Sequence, residues 1–240
     1  MVMPLWGENP LKLPALPIVT WGLVVVNVLV FIFTAIAPPE MQPTILNFAM
    51  IPANVTGVPI NPTPVSPYLT LASYTFLHAD FFHLFGNMIF LWVFGADVEE
   101  AMGLLRLMAF YLGSGGVAAL LFVASTPHSM VPLVGASGAI AGVLAAYLMF
   151  RPCQKVAVFL PWFLLWFIVC PVVKLDAFWV LGGWILVQFW QISVQTPDDV
   201  AYLAHVGGLA AGAVTFPLLR YRVVRLFECI RHEEESMLRP

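Results

Sequence analysis

Ser137 and His205 are the two residues that together could make a nucleophile and its base. Ser137 is the third residue of Gly135-Ala136-Ser137-Gly138, near the start of an apolar run that ends at Arg151. His205 lies near the start of another apolar run that ends at Arg220. A serine hydroxyl is a weak nucleophile until a base within hydrogen-bond reach takes its proton, and a neutral imidazole is such a base. Ser137 stands 14 residues before Arg151, and His205 stands 15 before Arg220. At about 1.5 Å rise per helical residue, both side chains lie roughly 21–23 Å from the charged end of their helix. His83 and Asn87 are four apart, on one face of a third helix. Asn87 is 12 residues before Glu99, about 18 Å up from that end. Three helices thus deliver polar side chains to one level.

Peptide hydrolysis needs a nucleophile, a base and donors for an oxyanion. Ser137 is the candidate nucleophile and His205 the candidate base. The Ser137 backbone N–H, the Asn87 amide and His83 are the candidate oxyanion donors. No Asp or Glu stands at this depth to orient His205. The expected unit is therefore a dyad whose imidazole is held by helix packing.

The elements that must position these groups are membrane spans. Charged residues make up 10% of the 240 and hydrophobic ones 61%, whereas soluble domains carry about 25% charged residues. Mean hydropathy is +0.92. The net charge of −3 and the lack of a basic or Gly-rich phosphate-binding motif argue against nucleic acid. Cys153, Cys170 and Cys229 have no metal-ligand spacing, so no metal and no cofactor is expected. All three fall in or beside the side expected to be cytoplasmic, so no disulfide is implied. The first apolar run follows a polar, Pro-containing leader, shows no cleavable signal peptide and is long enough to be a span; the absence of a transit-like leader favours a bacterial or archaeal plasma membrane over an organelle.

A span needs about 20 mainly apolar residues. The expected spans are 17–37, 68–94, two within the charge-free stretch between Arg106 and Arg151, then 177–192 and 200–219. Ser125-Thr126-Pro127-His128-Ser129 divides the third span from the fourth. The aromatic, Pro-interrupted stretch 156–173 is the open question. With six spans and the N-terminus inside, Lys12, Arg106, Arg151, Lys155, Lys174 and the C-terminal arginines all fall inside, as the positive-inside rule asks. A seventh crossing would strand Lys174 outside and put His205 at the opposite depth from Ser137. Residues 156–173 are therefore expected to be interfacial or re-entrant. The chain divides into a cytoplasmic leader (1–16), a six-helix membrane domain (17–220) and a cytoplasmic tail (221–240).

Each polar signal also has a bland reading. Small residues such as those in Gly135–Gly138 let membrane helices approach, and buried polar side chains bridge neighbouring helices. The Gly208-x-x-x-Gly212 spacing is expected to be packing, laying span six tightly on span four and so bringing His205 to Ser137. His78 and His128 are expected to be structural or loop residues. Ionisable and strongly polar groups inside a bilayer tend to face the bundle interior or a water cavity, and the convergence of four of them is what raises the functional reading.

These residues resemble the rhomboid intramembrane serine proteases. His78-Ala79-Asp80-Phe81-Phe82-His83-Leu84-Phe85-Gly86-Asn87-Met88 is similar to that family's second-span motif. Gly135–Gly138 is similar to its nucleophile motif, and Ala204-His205-Val206-Gly207-Gly208 to its base motif. The resemblance implies an all-α, six-transmembrane-helix bundle with a Ser137–His205 dyad in a water-filled cavity open to the outside. His83 and Asn87 would stabilise the oxyanion. Glu99, with Gly103 four residues on, would be structural, and the loop with Asp198 and Asp199 would act as a cap. Ala141 stands where many relatives carry an aromatic that stacks on the base, so something else must pack His205. The Trp-Arg pair of some members is absent from 38–67, and Val200 replaces a frequent glycine.

The expected function is an intramembrane endopeptidase that cuts single-pass or membrane-anchored proteins near the outer face of the bilayer. Span five, rich in aromatics, would border the route of substrate access. One alternative is a non-catalytic relative that binds and escorts membrane proteins. Another is a small transporter, but the inner halves of spans four and six are almost wholly apolar and offer no through-path.

Overall fold

In lipid no water pairs with the backbone, so an apolar run must satisfy its own polar groups by becoming a helix. The computed structural model of the chain describes residues 16–57, 65–159, 172–194, 202–227 and 229, together with the backbone of 3–7. Strand β1 (Met3–Gly7) precedes helix α1 (Ile18–Ile36). Short helices α2 (Gln42–Leu46), α3 (Pro52–Val55) and α4 (Pro67–Ser73) lead to α5 (Phe81–Met102). Then come α6 (Leu104–Ser125), α7 (Ser137–Phe150), strands β2 (Lys155–Phe159) and β3 (Val172–Asp176), α8 (Ala177–Val194) and α9 (Tyr202–Leu219). Among the described residues, α1, α5, α6, α8 and α9 are long and apolar enough to cross a membrane, and α7 is a shorter apolar helix. The chain is a helical membrane bundle, as expected.

Helix α7 is 14 residues long, about 21 Å, against a hydrocarbon core of about 30 Å. It is too short to span such a core, so with Arg151 at one membrane surface Ser137, at the other end of the helix, stands short of the opposite one. The non-helical chain leading down to it is tolerated at that depth only beside protein or a water-filled cavity.

The bundle closes by backbone contact. A Cβ built on Gly208 or Gly212 of α9 would collide with the carbonyls of Gly138 and Gly142 of α7. A Cβ on Gly207 would meet Ala118 and Leu121 of α6. The expected packing of span six on span four is thus present, and a matching Gly138-x-x-x-Gly142 stripe completes it. Farther in, Phe94, Tyr147, Phe150 and Phe216 form a chain of ring contacts at 4.8, 5.7 and 5.5 Å between centroids, tying α5, α7 and α9 together.

The inner end carries the charges. Arg151, 6% exposed, lies 3.5 Å from Asp97 and 3.8 Å from Glu100. Glu99 accepts hydrogen bonds from the backbone N–H groups of Val19 and Thr20 and from the Thr20 hydroxyl, at 3.0, 2.8 and 2.8 Å. It thereby satisfies orphan donors at the start of α1. This is the structural role expected at Glu99. Gly103, at φ +86°, makes the turn from α5 into α6.

Several expectations change. The second span does not begin at residue 68. Its first residues form α4 and a 3₁₀ turn, and α5 starts at Phe81 because Asp80, in an extended conformation, accepts from the His83 N–H at 2.9 Å and caps the helix. Part of the expected leader is β1, which pairs with β2. The described ends of 156–173 are antiparallel strands, with Lys155 opposite Asp176 and Ala157 opposite Lys174. Lys155 and Lys174 therefore lie on the same side of the bundle. Residues 160–171 lie outside the described residues, as do Lys12, Cys170, Asp198, Asp199, Val200 and the tail from 230. The expectation of no disulfide is overturned. Cys153 is bonded to Cys229, with Cα atoms 5.3 Å apart. The chain after α9 folds back beneath α7, where Phe227 N–H donates to the Met149 carbonyl at 2.7 Å. This return brings together cysteines separated by 76 residues.

Candidate active site

The glycine seam sets the register of the site. Gly208 lies against Gly138, so His205, one helical turn before Gly208, faces Ser137, the residue before Gly138. The His205 imidazole Nε2 is 2.8 Å from Ser137 Oγ, within ordinary hydrogen-bond distance. His205 is 7% exposed and Ser137 half-buried.

The other imidazole nitrogen is also held. His205 Nδ1 lies 2.7 Å from Gln188 Oε1 of α8, and Gln188 Nε2 donates to the Trp184 carbonyl at 3.1 Å. The Trp184 ring lies 5.6 Å from the imidazole at 40°, and Tyr202 meets it edge-on at 6.2 Å. Trp184 therefore takes the place left by Ala141. Packing against His205 is thus present, and a side-chain amide, not expected from the sequence, contacts its far nitrogen as well. Gln188 has a sequence signal, since it is a lone amide in the middle of an apolar span, where polar groups face the bundle interior.

Across the site, Asn87 is 8% exposed and its Nδ2 lies 2.9 Å from His78 Nε2. The same nitrogen lies close to the turn before Ser137, 3.7 Å from where a Cβ on Gly135 would stand. His78 is thus brought into the site. It precedes the helix, so helical periodicity could not pair it with Asn87. His83 packs edge-on against His78 at 5.2 Å. The same built Cβ on Gly135 would fall 2.6 Å from His83 Nε2, and Gly135 has φ +117°. Both the close approach and the backbone conformation require glycine there. Ser137 begins α7, so its backbone N–H is one of the donors a helix start leaves without an intrahelical partner.

All four expected residues border one cavity of about 880 Å³, which extends past Gln42 and Val131 of the outer segments and reaches Trp184. A backbone N–H at a helix start, the Asn87 amide and His83 can turn donors toward a developing oxyanion in it, while His205 can take a proton from Ser137. No group of three or more metal-binding side chains occurs among the described residues.

The sequence profile of the rhomboid domain matches residues 66–222, more than half of the chain. The chain belongs to the rhomboid family. It is 33% identical over 145 residues to the human presenilin-associated rhomboid-like protein, mitochondrial, covering 59% of this chain and 35% of that protein. It is 31% identical over 170 residues to rhomboid-related protein 1 of Caenorhabditis elegans, covering 70% of this chain and 42% of the relative. A shorter match, 44% over 71 residues, joins it to rhomboid-like protein 11, chloroplastic, of Arabidopsis thaliana, covering 30% of this chain and 25% of the relative. The chain thus spans well under half the length of these relatives. Ser137, His205, His83, Asn87, His78, Gln188 and Trp184 all fall inside the stretch matched to the rhomboid domain.

Proposed function

We propose that this rhomboid is an intramembrane serine endopeptidase that cuts single-pass or otherwise membrane-anchored proteins near the outer end of their span. The reading rests on one observation above all: the 2.8 Å contact between Ser137 Oγ and His205 Nε2, both of which line the cavity. In the first half-reaction Ser137 Oγ attacks the substrate carbonyl carbon and its proton passes to His205 Nε2. The carbonyl oxygen gains negative charge, which the Ser137 N–H and Asn87 Nδ2 stabilise together with His83. His205 then gives its proton to the leaving amine as the C–N bond breaks, leaving an ester on Ser137. In the second half-reaction a water from the cavity, deprotonated by His205, attacks that ester and restores the serine.

A helical substrate hides its amides in its own hydrogen bonds. It must unwind locally to offer one to Ser137, so spans with Gly, Pro or small polar residues near their outer end are the favoured substrates. The non-catalytic escort reading would predict loss of the serine or the histidine, and both are present. The inner side of the bundle is marked by Lys155, Lys174 and Arg151, and in this reading both termini lie on that side. Two of the relatives carry mitochondrial and chloroplastic labels, which lend no support to a prokaryotic plasma membrane, so the proposal is confined to a membrane of unspecified origin.

Reconstituting the protein in vesicles with a panel of single-span substrates tests the proposal. Cleavage should fall within the outer few residues of the span and favour helix-breaking sequences. A protein that binds these spans but leaves every one of them intact is an escort factor and not a protease.

A further inference from the structure

We infer that Gln188 is a positioning residue for the base, so that the working unit is Ser137–His205–Gln188 and not a dyad. The inference rests on the protease reading above and extends it. Neutral imidazole carries one proton, on either nitrogen. A general base facing Ser137 needs its lone pair on Nε2 and therefore its proton on Nδ1. The partner of the far nitrogen decides which tautomer forms. Here that partner is Gln188 Oε1 at 2.7 Å. An amide can present either an acceptor or a donor, and the Trp184 carbonyl settles which. Gln188 Nε2 donates to that carbonyl at 3.1 Å, so the oxygen is the atom turned to His205. With an oxygen there, Nδ1 must carry the proton, and Nε2 is left free to receive the one from Ser137.

Burial supports the assignment. Helix α8 is the least buried of the long helices, with Ala177, Leu181 and Gln188 as its buried residues. Gln188 is 4% exposed, while its neighbours Val187 and Phe189 are 47% and 53% exposed. A glutamine that merely tolerated the bilayer would turn toward a polar surface. This one is turned inward, with both ends of its amide engaged. When Ser137 loses its proton the imidazole becomes a cation, and the Gln188 oxygen then accepts a stronger, charge-assisted bond. The contact therefore favours the transition state over the resting state.

The test uses full-length protein in detergent and a fluorophosphonate probe, which reacts with an activated serine without needing a known substrate. Ser137→Ala supplies the background. Absence of labelling in the unaltered protein would count against the protease reading itself. Given labelling, Gln188→Met keeps the length and removes the acceptor, and Gln188→Glu keeps both length and acceptor. Gln188→Met should lower kinact by about 10-fold or more with KI unchanged, a part of the roughly 10²–10⁴-fold that a positioned general base contributes. Gln188→Glu should restore most of that rate. Gln188→Leu gives the same comparison if the Met variant folds poorly. The inference is overturned if Gln188→Met labels at the unaltered rate, if only KI changes, or if the Glu variant is as slow as the Met variant.

Discussion

The α7–α9 seam and helix α8 hold the same imidazole by opposite means. Along the seam, backbone lies on backbone: Gly208 against Gly138 and Gly212 against Gly142, with no room for a methyl group at Gly208 or Gly212. Helix α8 turns Phe178, Trp179, Leu186, Phe189 and Trp190 outward, and nothing lies within 4 Å of a Cβ built on its Gly182 or Gly183. The seam fixes the distance between Ser137 and His205. Helix α8 contributes no such close packing, yet it supplies both Trp184 and Gln188 to the imidazole. The contrast separates two requirements of a serine–histidine site. Distance needs rigidity, and a glycine interface provides it. Orientation needs only an acceptor and a ring at the right height, and one inward face of an otherwise lipid-facing helix provides both.

The sharpest way to break the contrast is to add a methyl group on each side of it. Gly208→Ala drives a Cβ into a backbone carbonyl that cannot swing away, so it should cost about 1–3 kcal/mol of stability or more and abolish cleavage. Gly182→Ala has open space and should be neutral or raise stability by up to about 1 kcal/mol, the helix-propensity gain of alanine over glycine. Thermal unfolding in detergent reads both, and equal effects would erase the distinction between seam and α8. Asn87→Ala removes the oxyanion donor proposed above without touching either helix. It should lower kcat by about 10²–10³-fold with apparent KM little changed, and a change in KM alone would make Asn87 a packing or substrate-binding residue. Trp184→Ala should have the smallest effect on rate, since an aromatic contact is worth about 0.5–1.5 kcal/mol. A few-fold fall in kcat is expected. A loss as large as that of Asn87→Ala would mean that α8 fixes distance as well as orientation.

The parts of this arrangement that follow local rules were legible in the sequence. Apolar runs marked the helices, and Gly208-x-x-x-Gly212 marked the seam. Nearly equal separations from Arg151 and Arg220 place Ser137 and His205 at one depth, because helices α7 and α9 run unbroken between those points. The start of the second span is not legible because residues 68–77 carry no charge to end a span, while the deciding feature is the single cap at Asp80. His78 approaches Asn87 from outside the helix, and Cys229 reaches Cys153 only through a chain reversal, so neither obeys a spacing that can be counted. Gln188 is hidden for another reason: it carries no charge to mark it as a partner for His205, yet a neutral amide oxygen can accept from an imidazole N–H as a carboxylate does.

The central claim is that Ser137 and His205 act as one unit. Cleavage of a single-span substrate by Ser137→Ala, His205→Ala and the double variant, each shown to be folded by its thermal transition, measures this most directly. Residues that share one proton transfer are strongly non-additive. The two single variants and the double should therefore sit at the same residual rate. Cleavage that persists in Ser137→Ala, or a double variant slower than both singles by the product of their effects, would contradict the account.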